Sequence, residues 1–243
     1  MTDELDQLLK NLKLKKIHEI LDRELEKAEK HQTSYSKLLA RLFREEYQDK
    51  RTRNLQRRIR QAKMPELYSL ETFPFQNQPK AKVPMIKQLG ELDFIPRAQN
   101  IVFIGGTGVG KTGLASSLLY KAIENGYRGL FIKAQDLFDN MYASLADHSS
   151  RKLLNKLKNL DLLLIDEMGY LNLQPEQSNI FFKLMDERYN KKSTIITTNL
   201  EYDEWYEFLG QKPMVSALLD RLRHHCHTIN LGDKSLRTPD ITV

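Results

Sequence analysis

Gly105-Gly106-Thr107-Gly108-Val109-Gly110-Lys111-Thr112 follows the apolar run Ile101–Ile104 and opens a helical pattern over 111–125. A short strand, a turn of small residues and a helix N-terminus in that order make a phosphate loop of the form Gly-x4-Gly-Lys-Thr. Small residues let the backbone curl until successive N–H groups face one anion, and the helix dipole adds to the field. Lys111 has the reach for β- and γ-phosphates, and the Thr112 hydroxyl suits magnesium. ATP and Mg2+ are therefore the expected ligands of residues 105–112. The bland alternative is a glycine-rich turn with no ligand, and the strand before and helix after argue against it.

Outward from the loop, short apolar runs alternate with helical patterns. Strands are expected at 129–132, 161–165, 193–197 and near 226–231. Helices are expected near 135–146 and 150–158, then at 176–190 and 213–223. Four-residue apolar runs separated by helices predict an α/β fold, a parallel sheet covered by helices on both faces. Ligands of such sheets sit at the C-terminal ends of the strands. There Leu162-Leu163-Leu164-Ile165-Asp166-Glu167 delivers two carboxylates. Asp166 is expected to hold magnesium, through water, and Glu167 to polarise the attacking water as general base. An Asp-Glu pair at a strand end is common by itself; its placement after a phosphate loop gives it meaning. Asn199 closes Ser193-Thr194-Ile195-Ile196-Thr197-Thr198 and is expected beside Glu167, to orient water or sense the γ-phosphate. A turn-forming Asn after a strand is the plain alternative.

The net charge of +6 is unevenly placed. Residues 1–63 hold 17 basic and 11 acidic side chains, an excess of six, and the other 180 residues carry 21 of each. A separate basic module at 1–64 is thus expected, then a Pro-punctuated linker and start of the next domain over 65–98, then the α/β domain at 99–243. Leucines and isoleucines three or four apart over 4–29 predict an amphipathic helix with a break near 13–16, and a second helical stretch runs to about Met64. A short helix at 85–92 is expected within the linker. The segment 50–63 has seven basic residues and no acidic one. At 100° per residue Lys50, Arg53, Arg57 and Arg60 share one face, with Leu55, Ile59 and Ala62 opposite. Cations along one side suit phosphates spaced along duplex DNA. A solvated basic face or a membrane-surface helix are the alternatives, and the apolar side lacks the Trp or Phe of the latter.

The order of strand, phosphate loop, Asp-Glu strand and Thr-Thr-Asn strand resembles the AAA+ ATPases. More narrowly, Gly-x-Gly-Lys-Thr-x-Leu-Ala at 108–115, Leu-Ile-Asp-Glu-Met-Gly-Tyr-Leu at 164–171 and Ser-Thr-Ile-Ile-Thr-Thr-Asn-Leu at 193–200 resemble IstB-like proteins. So do Leu-Leu-Asp-Arg-Leu-Arg-His-His at 218–225, Ser-Leu-Arg at 235–237, the run at 34–47 and Arg-x6-Arg-x-Ala at 53–62. The likeness spans nearly the whole chain, with Gly113 where the pattern has His and Leu236 where it has Tyr. It implies a transposition helper: an AAA+ ATPase that forms a homo-oligomer with ATP, assembles on and remodels duplex DNA, and recruits or stimulates a cognate transposase. It also implies that Arg221 is an arginine finger offered to an adjacent subunit, with Arg223 as second candidate. Arg237 would be a sensor of ATP in its own chain. Only 44 residues follow Asn199, so a reduced lid is expected rather than a full helical one.

Two other readings stay open at this point. A replicative helicase loader of the DnaC type has a similar ATPase domain. A small-molecule kinase would use the same loop but needs an acceptor pocket and has no use for a basic module. Several signals carry less. His224-His225-Cys226-His227 alternates along a strand, so at most His225 and His227 converge, too few for zinc. Phe73 and Phe75 read as an apolar clasp on the linker before an adenine border. One cysteine, an acidic polar start and no long apolar run suit a cytoplasmic protein without a membrane span.

Overall fold

The computed structural model describes residues 3–78, 82–146, 149–169, 173, 175–210, 213–232 and 235–236. Its chain forms two compact units, Met1–Arg57 and Arg58–Val243.

The first unit is helical. α1 (Asp3–Asn11) and α2 (Lys15–Lys30) are separated at the expected break, where Lys13 takes a left-handed φ of 55°. α3 (Tyr35–Ala62) is a single helix of 28 residues that stops before Pro65. Leu9, Ile17, Ile20, Leu21, Leu38 and Leu42 form the core. The start of α2 has no capping side chain of its own. Instead the buried Glu46 of α3 accepts the backbone N–H groups of Lys16 (2.7 Å) and Ile17 (3.0 Å). A carboxylate at a helix N-terminus satisfies orphan donors and meets the positive end of the dipole.

The second unit is built on a five-stranded parallel sheet, β1 (Asn100–Ile104), β2 (Gly129–Lys133), β3 (Leu162–Met168), β4 (Ser193–Thr198) and β5 (Cys226–Asn230). The order across the sheet is β2-β3-β4-β1-β5. The first strand in sequence therefore lies inside the sheet, flanked by the last two. Alternate residues divide between two faces. Val102, Leu163, Ile165 and Ile196 pack with α6 (Ala134–Ala146), α7 (Ser150–Lys158), α8 (Pro175–Arg188), the single turn α9 (Trp205–Phe208) and α10 (Pro213–His224). α5 (Lys111–Glu124) packs on β1 to β4 with residues outside that cluster. Each of these buried Leu, Ile or Phe side chains contributes about 1.5–3 kcal/mol over leaving it in water. α4 (Val83–Leu89) begins two residues earlier than the sequence suggests, because Pro84 is at home in a helix's first turn.

Arg188, at the end of α8, is 1% exposed. Its guanidinium donates to Leu157 O (2.7 Å), Leu160 O (3.0 Å), Thr194 Oγ1 (3.0 Å) and Ser193 O. It thereby ties the C-terminal end of α7 to the start of β4. Burial lowers its pKa to about 10, so it stays charged at neutral pH. Nearby, Asp161 accepts from Lys192 Nζ (2.6 Å) and Arg128 N (2.9 Å), closing the same end of the sheet.

Candidate nucleotide site

The loop at 105–110 leaves the C-terminal end of β1, every residue of which is buried. Gly110 has φ +96°, and a Cβ there would lie 2.7 Å from Phe73 Cε2. At Gly105 a Cβ would come within 2.7 Å of Gly232 O. Both positions thus need glycine for conformation and for space. The loop is held from outside as well. Gly105 N donates to Thr198 O (3.2 Å), Gly106 N to Gly232 O (3.1 Å), and Leu236 N to Gly108 O (2.9 Å). Val109 is fully buried beneath it. Lys111 Nζ donates to Gly105 O (2.8 Å) and Gly106 O (2.6 Å), which lays it along the inside of the curl.

β3 and β4 bring the polar groups to the same edge. Asp166, 2% exposed, accepts from Thr112 Oγ1 at 2.9 Å and from Thr197 Oγ1 at 2.5 Å. Burial pushes its carboxyl above the usual range, and the two hydroxyls oppose that shift. Neighbouring strand residues ordinarily face opposite sides, so Asp166 and Glu167 would diverge. Here the β3–β4 register slips by one residue between Ile165 and Met168. Glu167 sits in that bulge at φ +60°, exposed, with its N–H on Thr197 Oγ1 (3.0 Å). A non-glycine residue held left-handed at a bulge is a strained, re-aimed side chain. Lys133, the last residue of β2 and register partner of Asp166, places Nζ 3.1 Å from Glu167 Oε2. The Glu167 carboxylate raises the Lys133 pKa.

A cavity of about 670 Å³ joins these groups. Residues 107–113, Glu167, Thr197 and Leu236 line it together with Tyr68, Ser69, Thr72, Phe73 and Pro74. Phe73 also stacks on Phe75, with ring centroids 4.8 Å apart. The clasp and the cavity wall are therefore the same ring. Gly113 faces the Tyr68 ring, 3.6 Å from where its Cβ would be. Sequence reasoning alone does not point to Thr197, Lys133 or Tyr68. Strand-end position is the signal that flags the first two, since all ligand groups of a parallel sheet gather at that edge.

Asn199 packs on Gly169, where a Cβ would lie 2.9 Å from Asn199 Oδ1. That oxygen is buried and has no partner among the described residues. Arg221, on α10, does not line the cavity. It pairs with Asp186 and lies over the Tyr189 ring at 5.5 Å. Arg223 lies over Tyr202 at 4.7 Å, with Asp203 3.6 Å away. Arg237 falls outside the described residues. His225 packs edge-on to Tyr189, and His227 Nε2 bonds Gln99 Oε1 at 3.0 Å. In the basic stretch, Lys50 lies 3.7 Å from Glu46, and Arg53 reaches Asp49 (2.6 Å) and Glu46 (3.4 Å). Arg57 and Arg60 are exposed, with no ion-pair partner among the described residues. The even basic face drawn from 50–63 thus divides in two, because acids just upstream, one helical turn from Lys50 and Arg53, partly neutralise them.

The donors present fit the expected ligands. Convergent hydroxyl and carboxylate oxygens on Thr112 and Asp166 are hard ligands of the kind magnesium takes. The curled loop and Lys111 suit a triphosphate. No helix among the described residues is long and apolar enough to cross a membrane.

A parallel sheet with this loop on an inner strand and a carboxylate pair on β3 defines a P-loop ATPase of the AAA+ class. Sequence comparison narrows this. The family model of IstB-like ATP binding proteins matches residues 7–241, and the chain belongs to that family of transposition-associated ATPases. It is 33% identical over 234 residues to the ATP-binding protein of insertion sequence IS21 from Pseudomonas aeruginosa, covering 96% of this chain and 88% of that one. It is 38% identical over 212 residues to that of IS5376 from Geobacillus stearothermophilus, covering 87% and 84%. Among solved structures, the chain is similar to DnaI (TM-score 0.59, 19% identity, 68% of this chain and 90% of that one). It is also similar to the DnaC helicase loader (TM-score 0.56, 23% identity, 70% and 97%). At such identities these two likenesses speak for the fold alone.

Proposed function

We propose that this ATPase assembles with ATP into a homo-oligomer on duplex DNA, remodels that DNA, and recruits or stimulates the transposase of its insertion sequence. The observation that carries the DNA reading is the charge distribution. All six excess positive charges fall within residues 1–63, and Arg57 and Arg60 stand exposed near the end of α3. The names of the insertion-sequence relatives support the link to transposition. The likeness to helicase loaders is one of fold, so nothing specific favours a loader over a helper.

In this mechanism the loop N–H groups of 105–112 bind the phosphates, and Lys111 turns from the Gly105 and Gly106 carbonyls to the β- and γ-oxygens. Thr112 and Asp166 would hold magnesium, which supplies charge neutralisation at the phosphates when bound. Glu167, carried into the open by its bulge, accepts a proton from the attacking water, a role worth about 10²–10⁴ in rate. Leaving the Lys133 pair is part of that step. Asn199, with its unpartnered oxygen beside Gly169, orients the water. Arg221 of one copy reaches the γ-phosphate of the next, which ties hydrolysis to assembly and adds about 10³–10⁵ in rate. Arg237 reads the nucleotide within its own chain. Lys50, Arg53, Arg57 and Arg60 contact DNA phosphates without reading sequence.

The test is size-exclusion chromatography with duplex DNA, in ATP and in ADP, on the wild type and Glu167→Gln. Large DNA-bound assemblies that form with ATP and persist in the variant support the proposal. A monomer indifferent to DNA and nucleotide removes it.

A further inference from the structure

The helical unit exposes two apolar stripes that its core does not use. On α3, Tyr35 is 87% exposed, and Leu39, Phe43 and Tyr47 are each more than half exposed. A spacing of four makes them one ridge, about 18 Å long, of the kind that seats in a neighbouring helix's groove. The exposed Arg51 continues it. On the other stripe Leu5, Leu8 and Leu12, from α1 and the turn after it, face solvent, with Leu12 64% exposed. Contiguous apolar patches of this sort mark interaction surfaces.

The two stripes differ in charge. α1 carries Asp3, Glu4 and Asp6 in its first turn. Asp6 is engaged by Lys10 and His18, and Glu4 is the acid that borders the leucines. Bordering or continuing the ridge are the exposed Arg44 and Arg51. Neither has an ion-pair partner among the described residues, whereas Arg41, on the other flank of α3, is paired with Glu24. We propose that the leucine stripe of one copy's α1 docks on the α3 ridge of a second copy. An acidic, leucine-faced helix then covers a basic, aromatic one. Ridge-to-ridge pairing would instead set Arg44 and Arg51 of two copies against each other. Because the two faces differ, a contact made once between two copies is head-to-tail and leaves a free face at each end for another copy. It involves no residue of the nucleotide site and stands whether or not ATP drives assembly. Seven side chains fall short of the roughly 800 Å² per partner of a standard interface. The contact is therefore weak alone and strengthens copies already gathered by another means.

The test is disulfide trapping in full-length chains that carry Cys226→Ser. Leu8→Cys is placed in one chain and Phe43→Cys in another, each checked for native helicity. On mild oxidation, the mixture is expected to give a cross-linked dimer, and either variant alone none. Adding Glu4→Lys to the Leu8→Cys chain lowers the yield, and Arg44→Glu in its partner restores it. Three outcomes overturn the proposal: no dimer in the mixture, a dimer from Phe43→Cys alone, or a yield blind to the charge swap. The second would mean ridge-to-ridge pairing, and the first that another molecule or nothing covers the stripes.

Discussion

Glu167 owes its position to a backbone that disfavours it. A left-handed glutamate at a bulge is costly, and the register slip beside Asp166 is what supports it. Glu167→Gln keeps shape and backbone while removing the proposed base. Steady-state phosphate release should fall by about 10²–10³-fold, with affinity for a fluorescent ATP analogue retained. Parallel losses of affinity and turnover would make Glu167 a binding residue. Cys226 gives a second prediction at this scale. Burial raises its thiol pKa to about 11, against an ordinary value of 9.0. At pH 8 such a thiol holds about 100-fold less thiolate than an exposed one. Ellman's reagent should therefore label the native chain far more slowly than the urea-unfolded one, and equal rates would contradict the burial.

At the scale of elements, one carboxylate starts a helix to which it does not belong. Glu46→Ala leaves the N–H groups of Lys16 and Ile17 without their acceptor and Arg53 without one of its partners. Urea denaturation followed by helical circular dichroism should show a loss of roughly 1–3 kcal/mol, and an unchanged midpoint would mean water caps α2 as well. Asp161 makes the sheet's closed end sensitive to acid. Burial raises its pKa, but Lys192 and Arg128 outweigh burial, so the folded value lies below 3.8. For a depressed carboxyl, the pair's stabilisation is complete above the unfolded pKa and fades as pH falls through the folded one. Asp161→Asn should hence be less stable than wild type at pH 6, with the difference shrinking below about pH 4. Most elements are legible in the sequence. Strand 129–132 is a short apolar run and 193–197 a mostly β-branched one, and 162–165 delivers its carboxylates where the motif requires. Less can be read of Glu167, because a one-residue slip depends on pairing with β4. Nor can the Glu46 cap be foreseen, 30 residues from the helix it serves. A reading confined to 50–63 also stops just short of Asp49 and Glu46, the acids that pair with Arg53 and Lys50.

For the whole molecule, the placement of charge predicts how DNA binding responds to salt. Removing one phosphate contact should flatten the slope of log K against log[salt] by about 0.9. Arg57→Ala and Arg60→Ala should each show that change on duplexes of any sequence. Lys50→Ala and Arg53→Ala should show less, since those cations are shared with Glu46 and Asp49. Titrations by fluorescence anisotropy at several salt concentrations decide it, and four equal slopes would deny the split face. The sheet order has a consequence for biosynthesis. β1 lies between β4 and β5, and the loop after it is tied to Thr198, Gly232 and Leu236. Leu236 is made 124 residues after Thr112 (236 − 112). At about 5–20 residues per second that interval is roughly 6–25 s. Through nearly all of it the nascent phosphate loop lacks β5 and the Gly232 and Leu236 tethers that help shape it. A ribosome-bound chain stalled before β5 should therefore be blind to ATP, so nucleotide cannot guide the early folding of the domain that exists to bind it.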